Sequence, residues 1–470
     1  MKRGQFPLSS LPAWCLLNNI TFSGVSAADI EGRGLGLIAE KDLSDNNGEP
    51  ALLTVPGDLV VSAAGVENYA KENQDFRQLL DAAGHQSLRG DILLFLLTQL
   101  ILSSPEYKGG QGPTTAWTQY FKLLPIQVPV PTLWSESELS LLRGTSLEPA
   151  VSAKLSALTK EFNRIRDLTA DLPRWNEILG NDEVITLRDW VLLDALYRSR
   201  SLALPKSGES MVPCLDLVNH SSSPTAYFDE NSRDEAVLLL RNGVNVLKHD
   251  ELTINYGGDK SAAEMLFSYG FIDSDSTAQR IVLPVEPMDD DPLAKAKLYV
   301  YGSAPTLTII DSDDGIPRWD APFIPLMCLN DEDGLHFKVL RETDGSQHLR
   351  MLWQDIDVTE EAGNMANIIT GHSLCQVFRL RVLAVISGMI QQQLETLEVN
   401  NNDIASILSE RPEIIQAASK LRTVERDLLE RVFQVIEHEK IQLSEDESVV
   451  AYLSAMNDPQ HEDSVDEDFT

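Results

Sequence analysis

The side chains best suited to chemistry lie between Ser199 and Phe271. Ser199 and Arg200 come first, followed by Asp216, Asn219 and His220 within the run Pro213–Ser221. Asp250 and Glu251 then lead through Ile254 to Tyr256 and Gly257, and the series closes on Tyr269, Gly270 and Phe271. Each piece is a short apolar run ending in a polar or aromatic residue beside Gly, Pro or Asn, the pattern of a short buried strand that delivers its last side chain to a cleft. Tyr256, Tyr269 and Phe271 at such ends would wall an aromatic slot with hydroxyls inside, suited to a long side chain with a polar tip. Metal chemistry fits less well. Asp216, His220 and His249 are donor types found around iron or zinc, but no HxD or HxxxH spacing joins them. No Ser/His/Asp arrangement and no phosphate loop stands out.

A second candidate lies near the start, where Gly34, Leu35 and Gly36 form a GxG. Glycine has no Cβ, so backbone here can come close to a ligand. No third glycine or following helix completes a dinucleotide fingerprint, and on residues alone a glycine-rich hairpin is the competing reading.

The elements that must position these residues follow from pattern. Residues 12–65 read as short strands, with turn chemistry at Asp45–Gly48. From about Glu67 to Ser201 the pattern is helical, with Asp91 as an expected N-cap before Ile92. In that stretch Trp117, Tyr120 and Phe121 at i, i+3 and i+4 read as packing. Short strands return after 202. Beyond Pro284 come a mixed segment at Leu298–Tyr301, Asp- and Pro-rich loops, and long helices over Ser373–Glu398, Asp403–Leu408 and Pro412–Glu439. The last of these carries the apolar stripe Leu421, Val424, Leu428, Leu429, Val432 and Val435. After Lys440 no Lys or Arg appears while Asp and Glu accumulate, so residues 443–470 are expected to be a disordered acidic tail.

Length and charge bound the partners. The 470 residues suffice for two or three cores, and the formal net charge is −34. Nucleic acid, which is gripped by clustered Lys and Arg, would be repelled. A basic protein or peptide would be attracted and steered. Cys15, Cys214, Cys328 and Cys375 form neither a disulfide framework nor a zinc spacing. The first residues lack the apolar core of a signal peptide, and the run Ile92–Leu102 is too short to span a bilayer. Two matches to the glycosylation pattern, at Asn19 and Asn219, are read as chance. The expectation is a reduced, monomeric, cytoplasmic protein, with the nucleus as a further location and no membrane or direct nucleic-acid partner.

Taken in order, the quoted motifs resemble the SET-domain protein methyltransferases, in the split-SET branch typified by the Rubisco large-subunit and fungal ribosomal-protein lysine methyltransferases. The resemblance rests on Trp14, Gly24 and Gly34–Gly36, then Asp216–His220, Tyr256–Gly257 and Glu264–Phe271. It implies an α+β fold: a SET β-fold with a pseudoknot, split by a helical insertion and followed by a mostly helical C-terminal domain. The corresponding segments are 12–90 and 202–283 for the SET core, 91–201 for the insertion and 284–442 for the substrate-binding domain. It implies S-adenosylmethionine as cofactor, bound by Gly34, Leu35, Gly36, Arg200, Asn219, His220 and Tyr256. Tyr256 would be the catalytic tyrosine, and Asp216, Tyr269 and Phe271 would meet the substrate.

The implied reaction is methyl transfer to a lysine of a non-histone protein, with a ribosomal protein or translation factor as the expected class. Histidine methylation and a catalytically silent peptide-binding module are the rivals. Two departures shape the cleft: His249 stands where relatives usually have Gly, and Thr225 where many have Asn. The cysteine-rich zinc motif of chromatin-type relatives is absent from the sequence.

Overall fold

The computed structural model describes residues 4–44, 51–105, 115–273, 279–312, 314–341, 347–404 and 411–456. The chain divides into two units, Met1–Leu139 with Pro149–Thr277, and Ser140–Glu148 with Ala278–Thr470. The turn expected at Asp45–Gly48, residues 405–408 of one expected helix and the last residues of the acidic tail lie outside the described residues.

The site-bearing part of the first unit is a four-stranded sheet. Its strands are β1 (Val25–Ile30), β2 (Gly34–Ala39), β3 (Asn219–His220) and β4 (Glu251–Ile254), in spatial order β1-β2-β4-β3. β1 and β2 form an antiparallel hairpin, and β4 runs antiparallel to β2 with Leu252 opposite Leu37. β3 and β4 pair in parallel, Thr253 opposite Asn219 and Ile254 opposite His220. Leu37, Ala39, Leu252 and Ile254 are all buried, so one register puts the apolar residues inside and leaves the strand ends for chemistry. The two motif segments thus lie side by side, as the expected SET fold requires.

The unit also holds a second four-stranded sheet, of Thr21–Phe22, Leu53–Val55, Ala236–Leu240 and Ala226–Glu230. Its helices begin at Leu11–Leu17, in a stretch expected as short strands, and resume at Ala63. Helix Leu88–Ser103 is buried on nearly every side from Ile92 to Ile101, which explains its nearly continuous apolar sequence. Its N-cap is Ser87, whose hydroxyl accepts from Gly90 N–H. Asp91 sits instead in the first turn and accepts from the His85 amide at 2.7 Å. Trp117, Tyr120 and Phe121 are buried together as their spacing implies. Helix α1 (Leu187–Arg200) opens on a Thr186/Asp189 capping box and ends at Arg200. Helix α2 (Ala262–Tyr269) has the same kind of start, Ser261/Glu264, and stops at Gly270 in the left-handed conformation, φ +83°.

The second unit contains two three-stranded antiparallel sheets. One comprises Arg280–Pro284, Thr306–Ile310 and Arg318–Asp320, and the other Leu335–Arg341, Gln347–Trp353 and Ile356–Asp357. Residues 298–301, expected as a mixed segment, end a helix that spans Ala294–Tyr301. Long helices follow over Cys375–Ile404 and Pro412–Ser444. Of the expected stripe, Leu421, Leu428, Leu429 and Val432 are buried, joined by Ile436 in place of the half-buried Val435. Glu425 and Arg422 are buried on the same helix. Glu425 takes the amide and hydroxyl of Ser146, and Arg422 donates to the carbonyls of Arg143 and Leu397, so residues 140–148 join this unit through polar contacts. The tail expected to be disordered from 443 is helical over Glu447–Met456. Charge counting missed the apolar run Val449–Leu453: Val449 is buried, and the Tyr452 hydroxyl accepts from Arg381 at 2.8 Å.

Gly270 lets the chain pass directly from Tyr269 to Phe271. A Cβ there would meet the Pro129 carbonyl carbon at 2.7 Å, in a backbone conformation that penalises side chains. Gly270→Ala should therefore lower unfolding stability by about 2–4 kcal/mol, from the left-handed penalty plus overpacking. Urea unfolding of the two proteins checks this, and equal stabilities would contradict it.

Candidate active site

Tyr256 lies two residues beyond the end of β4, and two hydrogen bonds tie it to the β3 segment. Its amide donates to His220 Nδ1 at 3.0 Å, and its hydroxyl donates to the Val218 carbonyl at 2.7 Å. With Nδ1 engaged as acceptor, the remaining His220 proton is on Nε2, which faces Asp273 Oδ2 at 3.0 Å. Burial raises the Tyr256 phenol far above its ordinary pKa, with Arg200 pulling the other way. At neutral pH the phenol is therefore a protonated donor and not a base.

Around it stand the expected aromatic walls. The Tyr256 and Tyr269 ring centres are 4.6 Å apart, His220 and Tyr256 5.3 Å, and Phe271 lies 6.0–6.5 Å from His220, Tyr269 and Tyr256. The Tyr269 hydroxyl donates to the Tyr256 carbonyl at 3.1 Å. On one side of this cluster a cavity of about 500 Å³ opens, with Arg200, Asp216, Tyr256 and Tyr269 in its wall. Gly34, Gly36, Asn219, His220 and Phe271 are not part of that wall.

The glycine and Asn-His segments meet elsewhere, at the edge shared by β2, β3 and β4. Asn219 Nδ2 donates to Glu251 Oε1 at 2.7 Å and to the Leu35 carbonyl at 3.3 Å. Arg33, in the β1–β2 turn, donates to Glu251 Oε2 at 2.6 Å and to the His220 carbonyl. A Cβ at Gly36 would lie within 2.9 Å of Asn219, Glu251 and Ile30, so only glycine leaves room for this network. Gly34 has φ +77° and open space where a Cβ would stand. That is a cradle a ligand can enter close to backbone, and it fits the cofactor implied by the motifs.

Arg200 and Asp216 face each other. The guanidinium donates to the Asp216 carbonyl at 2.9 Å and to Oδ2 at 3.2 Å. The Tyr120 hydroxyl donates to Oδ1 of the same carboxylate and accepts the Cys214 amide at 2.9 Å. Burial raises the Asp216 pKa against the opposing pull of Arg200 and Tyr120. The carboxylate expected to face substrate is thus 1% exposed and engaged on both oxygens, while Arg200 spends its charge on it. Cys214, at φ +67°, lies 3.6 Å from Cys15 sulfur to sulfur; both are free thiols.

Sequence reasoning passed over Arg33, Tyr120, Lys260 and Asp273, and left Glu251 quoted but without a role. Tyr120 was expected as packing, and its ring does pack, but its hydroxyl anchors the Asp216 loop. His249 occupies a left-handed position, φ +76°, which accounts for the glycine usual there. Thr225 exchanges hydrogen bonds with Thr253 of β4. Among the described residues no group of His, Cys, Asp and Glu is arranged to hold a metal ion, and no helix is long and apolar enough to cross a membrane.

No family model matches the chain. It is 28% identical over 377 residues to "SET domain-containing protein 8" of Schizosaccharomyces pombe, covering 79% of this chain and 83% of that protein. It is 24% identical over 439 residues to the Rubisco large subunit N-methyltransferase of Pisum sativum, covering 89% and 79%. An actin-histidine N-methyltransferase of Danio rerio is 22% identical over 340 residues, covering 69% and 53%. Among solved structures, the SET domain of LSMT bound to lysine and AdoHcy superposes with TM-score 0.65 at 20% identity, over 96% of this chain and 97% of that one. Rubisco LSMT bound to AdoMet gives the same TM-score and coverage. The resemblance read in the sequence is borne out: this chain has the LSMT SET fold, and its relatives carry the names of that group.

Asp194 fixes the helix that ends in Arg200. It is buried and accepts from Arg89 at 2.7 Å, Lys154 at 2.8 Å and Arg198 at 3.2 Å. Burial alone would raise its pKa, but these three cations outweigh it and the net shift is downward. A folded pKa below the unfolded one stabilises the protein above the ordinary carboxylate value, and that contribution disappears as pH falls through the folded value. Asp194→Asn, which leaves three cations around a neutral amide, should cost about 3–5 kcal/mol at pH 7. Urea unfolding from pH 7 to pH 3 should show the gap narrowing in acid. A gap that stays constant would contradict the ion-pair account.

Proposed function

We propose that this chain is an S-adenosylmethionine-dependent protein methyltransferase that modifies a lysine of a non-histone protein, with a ribosomal protein or translation factor as the substrate class. The observation that carries the reading is the position of Tyr256: stitched to the Asn219–His220 segment on one side, and in the wall of the cavity shared with Tyr269 on the other. Two relatives whose names include lysine methyltransferase and a matching fold crystallised with lysine support it. The net charge of −34 suits a basic partner.

Gly34, Leu35, Gly36, Arg200, Asn219, His220 and Tyr256 would hold the cofactor, which supplies a methyl group on a positively charged sulfur. The chain's own task is to present a neutral amine in line and to keep water out. Tyr256 acts by placement: with its proton committed to the Val218 carbonyl, its oxygen offers lone pairs to polarise and orient what stands before it. Tyr269 and Phe271 narrow the approach so that an ammonium is poorly solvated and the neutral amine is favoured. Arg200 and Asp216, locked together, hold the wall rigid.

Histidine as the target is the second reading, favoured by the two relatives named actin-histidine N-methyltransferases. Incubating a cell extract with labelled S-adenosylmethionine should label a discrete protein, and mass spectrometry of the modified residue decides between lysine and histidine. Calorimetric titration with the cofactor should give one site; neither heat nor a thermal shift would favour a silent binding module. Tyr256→Phe should lower turnover about 10²-fold or change the number of methyl groups added, with cofactor affinity nearly kept. Unchanged kinetics and products in that variant would remove Tyr256 from the mechanism.

A further inference from the structure

One cation in the cavity wall has no carboxylate hydrogen-bond partner among the described residues. Lys260, just before α2, directs Nζ back to the Tyr256 carbonyl at 2.6 Å, and the same nitrogen lies 5.7 Å from the Tyr269 ring centre. Tyr269 also donates to that carbonyl, so a resident ammonium and a phenol converge on the residue at the centre of the proposed chemistry. The backbone makes room for it. Gly257, at φ +130°, would bring a Cβ to 2.3 Å from Nζ, so a side chain there would expel the ammonium.

We infer that Lys260 is a positioning residue for the acceptor amine: its fixed positive charge, at the aromatic wall of the cavity, disfavours a second ammonium and so holds an incoming lysine in the neutral form that can accept a methyl group. The inference rests on the methyltransferase reading above and assigns it a residue.

The other charges facing this place do not cancel the effect. Arg200 and Asp216 neutralise one another. Tyr256 and Tyr269 are protonated phenols. Farther along the wall Arg89, Lys154 and Arg198 share Asp194. Glu209, on the strand Gly208–Met211, opposes Lys260, but it is exposed, accepts from the Tyr197 hydroxyl and acts from the side where water and salt screen most. Asp259, next in the chain, is likewise exposed. Lys260 is half-buried, and a cavity of about 500 Å³ keeps any guest close to it. A unit charge about 7 Å away at an effective dielectric near 20 moves an amine pKa by between one and two units.

The test needs no turnover. The full chain saturated with S-adenosylhomocysteine is mixed with lysine carrying a carbon-13 methyl group on its side-chain nitrogen, and the methyl resonance is followed from pH 6 to 10. The bound amine should titrate below the usual lysine value of about 10.4. Lys260→Met and Lys260→Gln should raise the bound value by about one unit, and Lys260→Arg should leave it near wild type. Glutamine is the deciding variant, because it keeps a hydrogen-bond donor for the Tyr256 carbonyl but no charge. If it behaves as wild type, or if no variant moves the value, Lys260 is a tether only and the inference is overturned with the methyltransferase reading intact. If wild type does not bind the probe at all, that reading of the cavity falls, and this one with it.

Discussion

The site depends on two strands that are remote in sequence running side by side. Once β3 lies parallel to β4, the Tyr256 amide reaches the His220 ring and the Tyr256 hydroxyl reaches the Val218 carbonyl. These bonds are mutual constraints: the amide settles which His220 nitrogen carries the proton, and the carbonyl settles where the phenol points. Each bond is worth only about 1 kcal/mol net. Leaving any of these buried groups unpaired costs more, and this asymmetry is what makes the arrangement specific.

Everything else keeps that pairing in place. Glu251 sits in β4 and grips Asn219 in β3, while Arg33 spans from the β1–β2 turn to both. On the opposite side, Tyr120 and Arg200 share the Asp216 carboxylate and thereby fasten the loop that leads into β3. Asp194 gathers Arg89, Lys154 and Arg198 and so anchors the helix that delivers Arg200. Burying such charges is justified only if they meet partners with little freedom, and here Asp194 and Arg200 sit on one helix and Glu251 on β4.

The strands and helices, and the residues at their ends, were legible because they follow local rules. Short apolar runs ending beside Gly or Asn marked β3 and β4, the Gly34–Gly36 pair marked the hairpin that contains β2, and apolar spacing at i, i+3 and i+4 marked buried helix faces. The cross-chain partners were not legible. Nothing in the spacing of Arg33, Asn219 and Glu251 says that they meet, since 218 residues separate Arg33 from Glu251. Tyr120 was hidden by its own aromatic stripe, because periodicity reports a buried ring and is silent on its hydroxyl. Asp216 was legible as a site residue through the resemblance, and it does line the cavity, but its partners Tyr120 and Arg200 were not. In the tail, charge density masked a short apolar run that was enough to dock a helix.

The central claim is that Tyr256 stands between a donor side, built from Gly34–Gly36 and Asn219–His220, and an acceptor side, the cavity walled by Tyr269. Its most direct test is a crystal structure of the chain with S-adenosylhomocysteine. The expected result is a nucleoside against the Gly34–Gly36 backbone and Asn219, with the sulfur facing the Tyr256 hydroxyl and the Tyr269 side left open. A ligand lodged in the Tyr269 cavity, or bound away from β2 and β3, would contradict it.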